Sequence, residues 1–282
     1  MLLNLSAEQY FVGSYQVFLF SVTRLASYMK EFAKKVFRSV QVYFPFLQDL
    51  RFSTQMKLNR MMGKPHEQDF SLLRQFPDNG QLLFVDIGTN RGEAIQSMIT
   101  MKKNCTVVGF EPNPIVFAKT AALYKNSKQV NLHNCGLGKE NGAFTLYLPF
   151  FRNFMFDGLA SFNKREASDW LKGRIFGYSS DRLHIKEINC EVKRLDDFKL
   201  SPYFIKIDVQ GLEYEVLLGS QETLKQYQPV LLIETPSENV MNLLAGLGYK
   251  PYYYEHNKLQ PGRGALNTYF FNEDKKRSLI AN

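Results

Sequence analysis

The sequence has few cysteines, and their spacing serves no obvious chemistry. Cys105, Cys135 and Cys190 are odd in number, lie far apart and form no C-x-x-C pair. With an odd number of cysteines and no C-x-x-C pair, neither a disulfide framework nor a structural zinc site is expected, and the sequence suggests no metal ligands. The three thiols are expected to be buried in a protein that works in a reducing compartment.

A long apolar run is missing as well. The first 23 residues contain no Lys or Arg, which argues against the basic start of a secretory leader. The most apolar early stretch, Tyr10–Thr23, is interrupted by Gly13 and Gln16 and is shorter than the roughly 20 residues that span a bilayer. We therefore expect a cytoplasmic protein without a membrane-spanning helix, with peripheral contact to the inner face of the membrane as an open alternative.

Positive charge is concentrated in one part of the chain. The 282 residues carry 35 basic and 27 acidic side chains, a net charge of +8. Residues 1–64 hold nine of the basic and three of the acidic ones, so this segment carries +6 and the rest only +2. A uniformly basic nucleic-acid-binding domain is therefore not expected. With 45% hydrophobic residues, the chain can build one large domain or two small ones.

The basic segment reads as a helical extension. Ser6 to Gln9 forms a capping box, and apolar residues then recur in steps of three and four until Pro45 ends the run. The members of this stripe are Phe11, Tyr15, Phe18, Val22, Leu25, Met29, Phe32, Val36, Val40 and Tyr43. Residues 7–44 could pack on their own domain, join a twin subunit as a homodimer, or lie on an anionic membrane surface. We assign 1–64 to this extension and 65–282 to the main domain.

From residue 82 onward short apolar runs alternate with helical segments, which is typical of βαβ units and a parallel sheet. Residues 51–80 before it are expected to connect the two parts, with one short helix at Gln68–Gln75. The predicted strands are Leu82–Asp86, Thr106–Phe110, Val130–His133, Phe204–Asp208, Val230–Glu234, Tyr249–Tyr254 and Leu266–Phe271. The predicted helices are Gly92–Met101, Pro114–Tyr124, Leu212–Gln226 and Glu238–Leu247. An insertion of about 139–200 interrupts the alternation, with strands at Ala143–Leu148 and Lys186–Arg194.

Four of the apolar runs end in an acid, namely Asp86, Glu111, Asp208 and Glu234. Parallel strands place such residues at one edge of the sheet, where open α/β folds bind their ligands. The turn after the first run, from Asp86 to Gly92, has glycines at Gly88 and Gly92, so that the backbone can approach a ligand closely. It matches neither the G-x-G-x-x-G dinucleotide pattern nor a phosphate loop.

The ligand chemistry follows from the acids. Asp86, just before Gly88, suits a ligand with a cationic end, and a carboxylate at Glu111 can accept hydrogen bonds from both hydroxyls of a ribose. A ribose, an amino group and no polyphosphate together describe S-adenosylmethionine. Asn134, after the third strand, is placed to meet the adenine or else serves as an ordinary turn residue.

The ordered motifs resemble the FkbM family of S-adenosylmethionine-dependent methyltransferases. The matching pieces are Val85–Gly92, Gly109–Pro114, Asn134–Leu137, Leu195–Phe198, Ile205–Glu213, Val216–Gly219 and Pro229–Glu234. The resemblance implies a Rossmann-like class I α/β fold, with a mostly parallel sheet of seven strands, and O-methylation, often of sugars. It implies cofactor contacts from Asp86, Gly88, Asn90, Gly92, Glu111, Pro112 and Asn134. Gln210 departs from the family, which usually has Glu there.

Methylating a hydroxyl requires a proton acceptor. Asp208, at the end of the central strand, is the first candidate, or else it pairs with Lys206. Glu213 is a second candidate or a first-turn helix acid, and His184 in the insertion is a weaker third. The insertion contains a group of aromatic residues close to Arg152 in the sequence, namely Phe150, Phe151, Phe154 and Phe156, with Trp170 and Tyr178 further along the chain. This group either recognises the acceptor or packs an extra layer.

We therefore expect an enzyme that methylates a sugar hydroxyl in glycan or polysaccharide biosynthesis. The alternatives are a small-molecule or lipid-linked acceptor, and a non-catalytic binding or assembly protein that keeps the fold. No nucleic-acid partner is expected, because the Asn/Asp-Pro-Pro-aromatic motif is absent.

Overall fold

The computed structural model describes residues 29, 31–78 and 80–280, with only the backbone at positions 278 and 280. The capping box at Ser6 and the part of the apolar stripe before Met29 lie outside these residues. Within them, helix α1 spans residues 31–43 and α2 spans Phe46–Met61, with Pro45 as its N-cap. The break predicted at Pro45 is therefore confirmed. The connecting region predicted from residue 51 is wrong in its first part, because α2 continues through its first eleven residues, as far as Met61.

The central sheet has the order β11-β10-β12-β9-β8-β1-β2-β3. Its strands are β1 (Leu82–Ile87), β2 (Cys105–Phe110), β3 (Val130–His133), β8 (Phe204–Ile207), β9 (Val230–Glu234), β10 (Lys250–Glu255), β11 (Lys258–Pro261) and β12 (Asn267–Phe271). The five strands β3, β2, β1, β8 and β9 run parallel, and β12 returns antiparallel to β9. The predicted fold class, a mostly parallel Rossmann-like sheet, is confirmed.

The sheet has one strand more than the seven that the sequence predicted. The extra strand, β11, forms a hairpin with β10 through His256 and Asn257, which both have positive φ angles, 51° and 61°. Such a two-residue turn matches the twist of the two strands it joins. The segment Lys258–Pro261 is short and half polar, so no strand pattern marks it in the sequence.

The helices flank the sheet at nearly the predicted positions. They are α3 (Glu93–Met101), α4 (Pro114–Tyr124), α6 (Glu213–Leu218), α7 (Gln221–Tyr227), α8 (Glu238–Gly246) and α9 (Glu273–Ile280), and a 3₁₀ helix spans Gln68–Gln75. The single helix predicted over Leu212–Gln226 is divided, because Gly219 and Ser220 separate α6 from α7. One cluster of buried apolar residues packs on each face of the sheet, so the sheet lies at the centre of the core.

The insertion forms a second sheet of order β4-β7-β5-β6. It comprises β4 (Gly136–Leu137), β5 (Gly142–Phe151), β6 (Phe154–Met155) and β7 (Leu183–Lys193), with helix α5 at Lys164–Asp169. Phe151, Phe154 and Phe156 are buried together with Leu171 and Ile175. These phenylalanines therefore pack the extra layer, which is the second of the two interpretations that the sequence allowed.

No helix in the described part of the chain combines the length and the apolar character that a membrane span requires.

Candidate functional site

A cleft opens at the carboxyl ends of β1, β2 and β8, and the insertion covers its outer side. Its walls combine backbone loops, acids and apolar side chains. The residues that line it are Ile87, Gly88, Asn90, Phe110, Glu111, Pro112, Val116, Gly136, Leu137, Leu146, Asp157, Gly158, Ala160, Ser161, Phe162, Asp208, Val209, Gln210 and Leu212. Of the predicted site residues, the cleft brings together Gly88, Asn90, Glu111, Pro112 and Asp208.

The loop after β1 has no room for a side chain at its first glycine. Gly88 has φ of 84°, and a Cβ built there would lie 1.9 Å from the backbone oxygen of Asp208. The loops after β1 and β8 therefore touch, and only glycine permits the contact. Asn90 also has a positive φ, 44°, and its backbone N–H donates to Oε2 of Glu111 at 2.8 Å.

Glu111 is held from both sides by backbone donors. Its second oxygen, Oε1, accepts from the N–H of Asn113 at 2.9 Å, while Asn90 holds Oε2. Each carboxylate oxygen has further lone pairs, so both can still accept a hydrogen bond from a ligand in the cleft. Burial raises the pKa of Glu111 to about 7, although the two N–H donors pull it down. A ligand that donates hydrogen bonds would favour the ionised carboxylate.

Asp86 lies beneath this loop and is completely buried. Neither of its carboxylate oxygens has a hydrogen-bond partner among the described residues, and the same holds for the hydroxyl of Thr89. Burial raises the pKa of Asp86 to about 6, and the charge of Lys206, its register partner on β8, pulls it back. An unpartnered buried carboxyl at the end of a central strand is rare, and buried acids with a shifted pKa are concentrated at functional sites.

Beside the cleft, the ends of β8 and β9 form a carboxyl pair. The register aligns Ile207 with Ile233, so Asp208 and Glu234 are the next residues on their strands, and their carboxyls hydrogen-bond to each other. Asp208 also accepts from Lys206 Nζ at 3.0 Å and from Gln210 Nε2 at 2.9 Å. Two carboxyls this close share one proton more readily than they carry two charges.

The two members of the pair differ in their electrostatics. Burial opposes the ionisation of Asp208, but the charge of Lys206 and the hydrogen bonds from Glu234, Lys206 and Gln210 together outweigh it and hold the pKa of Asp208 below its usual value. Burial, followed by the hydrogen bond and charge of Asp208, raises the pKa of Glu234 to about 7. A proton held by the pair therefore lies on Glu234, which is about half ionised at pH 7 and mostly ionised above it.

A segment before the first 3₁₀ helix completes this polar cluster. Glu67 and Asp69 both accept hydrogen bonds from Asn267 Nδ2, at 2.9 Å each, and Asn267 is the register partner of Glu234. The neighbouring His66 donates its backbone N–H to Ser97 Oγ at 2.9 Å, and its Nδ1 lies 2.8 Å from the same oxygen. Burial lowers the pKa of His66 to about 4, so its ring is neutral at physiological pH.

Three loops at this edge contain strained residues. Asn90 follows β1, Gln210 follows β8 and Thr235 follows β9, with φ of 44°, 54° and 44°. A positive φ is especially unfavourable for a β-branched residue such as Thr235. Such strain concentrates at binding sites, where the surrounding contacts hold the backbone in place.

The loop after β1 also forms ion pairs with the insertion and with helix α2. Arg91 pairs with Asp157, which lines the cleft, and with Asp49 on α2. Gln48 on α2 donates to Asp157 at 3.0 Å, and Lys119 lies 2.8 Å from Asp49. These ion pairs connect α2, the loop after β1 and the insertion around one wall of the cleft.

The other predicted site residues lie outside the cleft walls. Gly92 caps α3, and Asn134 donates its side-chain amide to the backbone oxygen of Glu111 at 2.8 Å. Glu213 is buried and accepts from the N–H of Gly211 at 3.0 Å, which holds the loop after β8. His184 is exposed on β7 opposite Phe150. The roles predicted for these four residues stay predictions.

The sequence reasoning missed part of the site. Glu234 stood out as a strand-end acid but was not placed among the site residues, although its signal was the same as that of Asp208. Asp157 and Phe162 come from the insertion, where no periodic pattern locates a residue. His66 precedes a short 3₁₀ helix and gave no signal at all.

Comparison with known families decides the identification. The model of the methyltransferase FkbM domain matches residues 86–251, which is more than half of the chain. This chain belongs to the FkbM methyltransferase family. The matched segment of this FkbM protein begins at Asp86 and includes all four acids at the strand ends, namely Asp86, Glu111, Asp208 and Glu234.

Two curated methyltransferases are similar to this chain. The FkbM chain is 29% identical over 155 residues to Methyltransferase 1 of Beauveria bassiana, covering 51% of this chain and 59% of the relative. It is 27% identical over 176 residues to the 2-O-methyltransferase NoeI of Sinorhizobium fredii, covering 57% and 65%. The match therefore spans less than two thirds of the length of either relative.

Among solved structures, the FkbM methyltransferase of Methylobacillus flagellatus is 18% identical and has a TM-score of 0.45, covering 73% of this chain and 48% of that one.

Proposed function

We propose that this protein transfers a methyl group from S-adenosylmethionine to a hydroxyl oxygen, with a carbohydrate as the acceptor. One observation carries the proposal. Glu111, held by two backbone donors, and Asp208 line one cleft at the carboxyl ends of β2 and β8, and Glu234 is hydrogen-bonded to Asp208 beside it. The first suits a ribose, and the carboxyl pair suits a hydroxyl that must lose its proton.

The residues present fit the cofactor. Glu111 has free lone pairs for two ribose hydroxyls, and the apolar side chains of Phe110, Val116 and Leu137 suit the adenine. Gly88 keeps the loop after β1 in close contact with the loop after β8, so both loops line the cleft, and the buried, unpartnered Asp86 provides negative charge beneath this loop for a cationic end. Bound here, S-adenosylmethionine would supply an electrophilic methyl group on a positively charged sulfur.

The chain's own residues would then manage the proton. As the new C–O bond forms and the C–S bond breaks, the hydroxyl proton passes to the Asp208–Glu234 pair, and Glu234 holds it. Asp208 stays ionised beside Lys206 and can orient the hydroxyl without taking its proton. A base with a pKa near the working pH is the most effective, which favours Glu234 over Asp208 in this role.

Positioning would account for much of the remaining rate enhancement. Holding the acceptor oxygen against the methyl group contributes up to about 7–11 kcal/mol in well-oriented reactions. The insertion supplies the outer wall of the cleft with Asp157, Ser161 and Phe162. A ring face and polar groups on one wall suit a sugar, which presents both an apolar face and hydroxyls.

The relative named as a 2-O-methyltransferase supports an oxygen acceptor. The proposal is tested by incubating the protein with radiolabelled S-adenosylmethionine and a panel of methyl pyranosides, each paired with its 2-deoxy counterpart. Transfer to a pyranoside that is lost in the 2-deoxy sugar supports a sugar hydroxyl as the acceptor. If calorimetry detects no cofactor binding, the cofactor assignment is wrong, whereas binding without transfer to any sugar refutes only the acceptor class.

A further inference from the structure

The two N-terminal helices leave many of their large apolar side chains exposed. Along residues 31–62, large apolar side chains recur at helical spacing and are exposed, with exposed fractions of 39% to 84%. We call this set the outer apolar face. Its members are Phe32, Val36, Phe37, Val40, Tyr43, Phe44, Phe46, Leu50, Leu58, Met61 and Met62. Contiguous exposed apolar surface of this kind marks an interaction site in a folded protein.

The orientation of α1 is the reverse of that of an ordinary surface helix. Lys35 and Arg38, on its inner side, lie over the rings of Phe176 and Trp170 at 4.8 and 4.9 Å. Val42 packs into the apolar cluster of the insertion. A helix that served only its own domain would bury its stripe and expose its basic residues, which is the opposite arrangement. This apolar face therefore serves something outside the described part of the chain.

Charge indicates which kind of surface fits. The described residues between 31 and 64 include seven basic and two acidic side chains. Both acids are already paired, Glu31 with Lys34 and Asp49 with Arg91 and Lys119. Exposed basic residues alternate with the outer apolar face along α2, where Arg51, Lys57 and Arg60 each adjoin an exposed apolar residue.

We propose that the outer apolar face docks on an anionic lipid surface, with the basic residues beside it contacting the headgroups. Apolar side chains at the acyl boundary, with Lys and Arg at headgroup level, are the arrangement of an interfacial helix. A second copy of this chain fits less well. A two-fold contact would bring the unpaired basic residues of both copies together with no acids to meet them.

The test uses the full chain and vesicles of phosphatidylcholine alone or with about a third of phosphatidylserine, since anionic lipid is the source of attraction. We expect co-flotation with the anionic vesicles, weaker binding to the neutral ones, and a decrease at high salt. Replacing Lys34, Lys57 and Arg60 with Gln should reduce binding roughly a hundredfold, the equivalent of about 1 kcal/mol for each basic residue removed.

Matched variants separate the apolar and the basic contribution. Phe46→Ser, Leu50→Ser and Leu58→Ser together should abolish flotation, because these side chains are exposed and their loss removes only the contact with lipid. As controls, Phe144→Ser and Leu266→Ser remove exposed apolar groups elsewhere, and Lys172→Gln, Lys225→Gln and Lys258→Gln remove exposed charges. Both control sets should bind vesicles like the wild type.

Cofactor affinity and sedimentation complete the experiment. All variants should bind S-adenosylmethionine as the wild type does, which shows that they are folded. A wild-type protein that ignores anionic vesicles, or binds neutral ones equally well, overturns the proposal. So does a dimer that the three serine substitutions convert to a monomer while vesicle binding is unchanged, because the occupant is then a second copy.

Discussion

Replacing Glu234 with glutamine tests where the transferred proton goes. Glutamine keeps the size of the side chain and a hydrogen bond to Asp208, but it cannot accept a proton. Loss of a general base typically lowers the rate by about 10²–10⁴-fold, and we expect Glu234→Gln to lose kcat by that factor. Cofactor affinity should change much less, because Glu234 lies on β9, away from Glu111.

The pH dependence distinguishes a base from a structural residue. Only ionised Glu234 accepts a proton, so kcat/KM of the wild type should rise with pH and level off above about 7, the pKa of Glu234. One pH unit below that midpoint, about a tenth of the plateau rate remains. The charged groups that face Glu234 are Asp208 and Lys206 from β8 and Glu67 from the segment before the 3₁₀ helix.

Asp208→Asn provides a second, directional readout. The carboxylate of Asp208 raises the pKa of Glu234, so its removal should move the rising limb of the profile to lower pH. Glu238→Gln is the matched control, since Glu238 is an exposed acid four residues further on. Initial rates of label transfer between pH 5.5 and 9, at saturating cofactor, give all profiles. The assignment is refuted if the kcat of Glu234→Gln stays within a few-fold of the wild type, or if its pH profile keeps the same rising limb.

The remaining predictions concern the cofactor side of the cleft. Glu111→Ala should weaken S-adenosylmethionine binding by about 1–3 kcal/mol in calorimetric titration, and equal affinity would remove Glu111 from the site. In the cofactor-free protein, the pKa of Glu111 is raised from 4.5 to about 7, so unfolding free energy should fall as pH rises through that window. In urea unfolding, the free energy of unfolding of Glu111→Gln should exceed that of the wild type by up to about 3 kcal/mol at pH 8 and by little at pH 5. A difference that does not change with pH would contradict this. Arg91→Ala should lower cofactor affinity several-fold by releasing Asp157 and Asp49, whereas Lys172→Ala, on the surface, should leave it unchanged.

The sequence by itself determined the sheet and its functional edge. Buried parallel strands need continuous apolar runs, so Val230–Glu234 could be located to the residue. An acid directly after such a run must lie at the carboxyl edge, which is why Asp86, Glu111 and Asp208 could be placed together before any coordinates. The family resemblance, carried by the same motifs, is confirmed by the domain match.

Only the tertiary structure decided which of these acids share a proton and which surface is left uncovered. A pKa depends on distances between residues that are remote in sequence, such as Asp208 and Glu234, and on how deeply each is buried. Likewise, the period of an amphipathic stripe shows that one face of α1 is apolar, but not what covers that face. The aromatic rings of the insertion contact Lys35 and Arg38 of α1, whereas Val36 and Val40 on the same helix stay exposed.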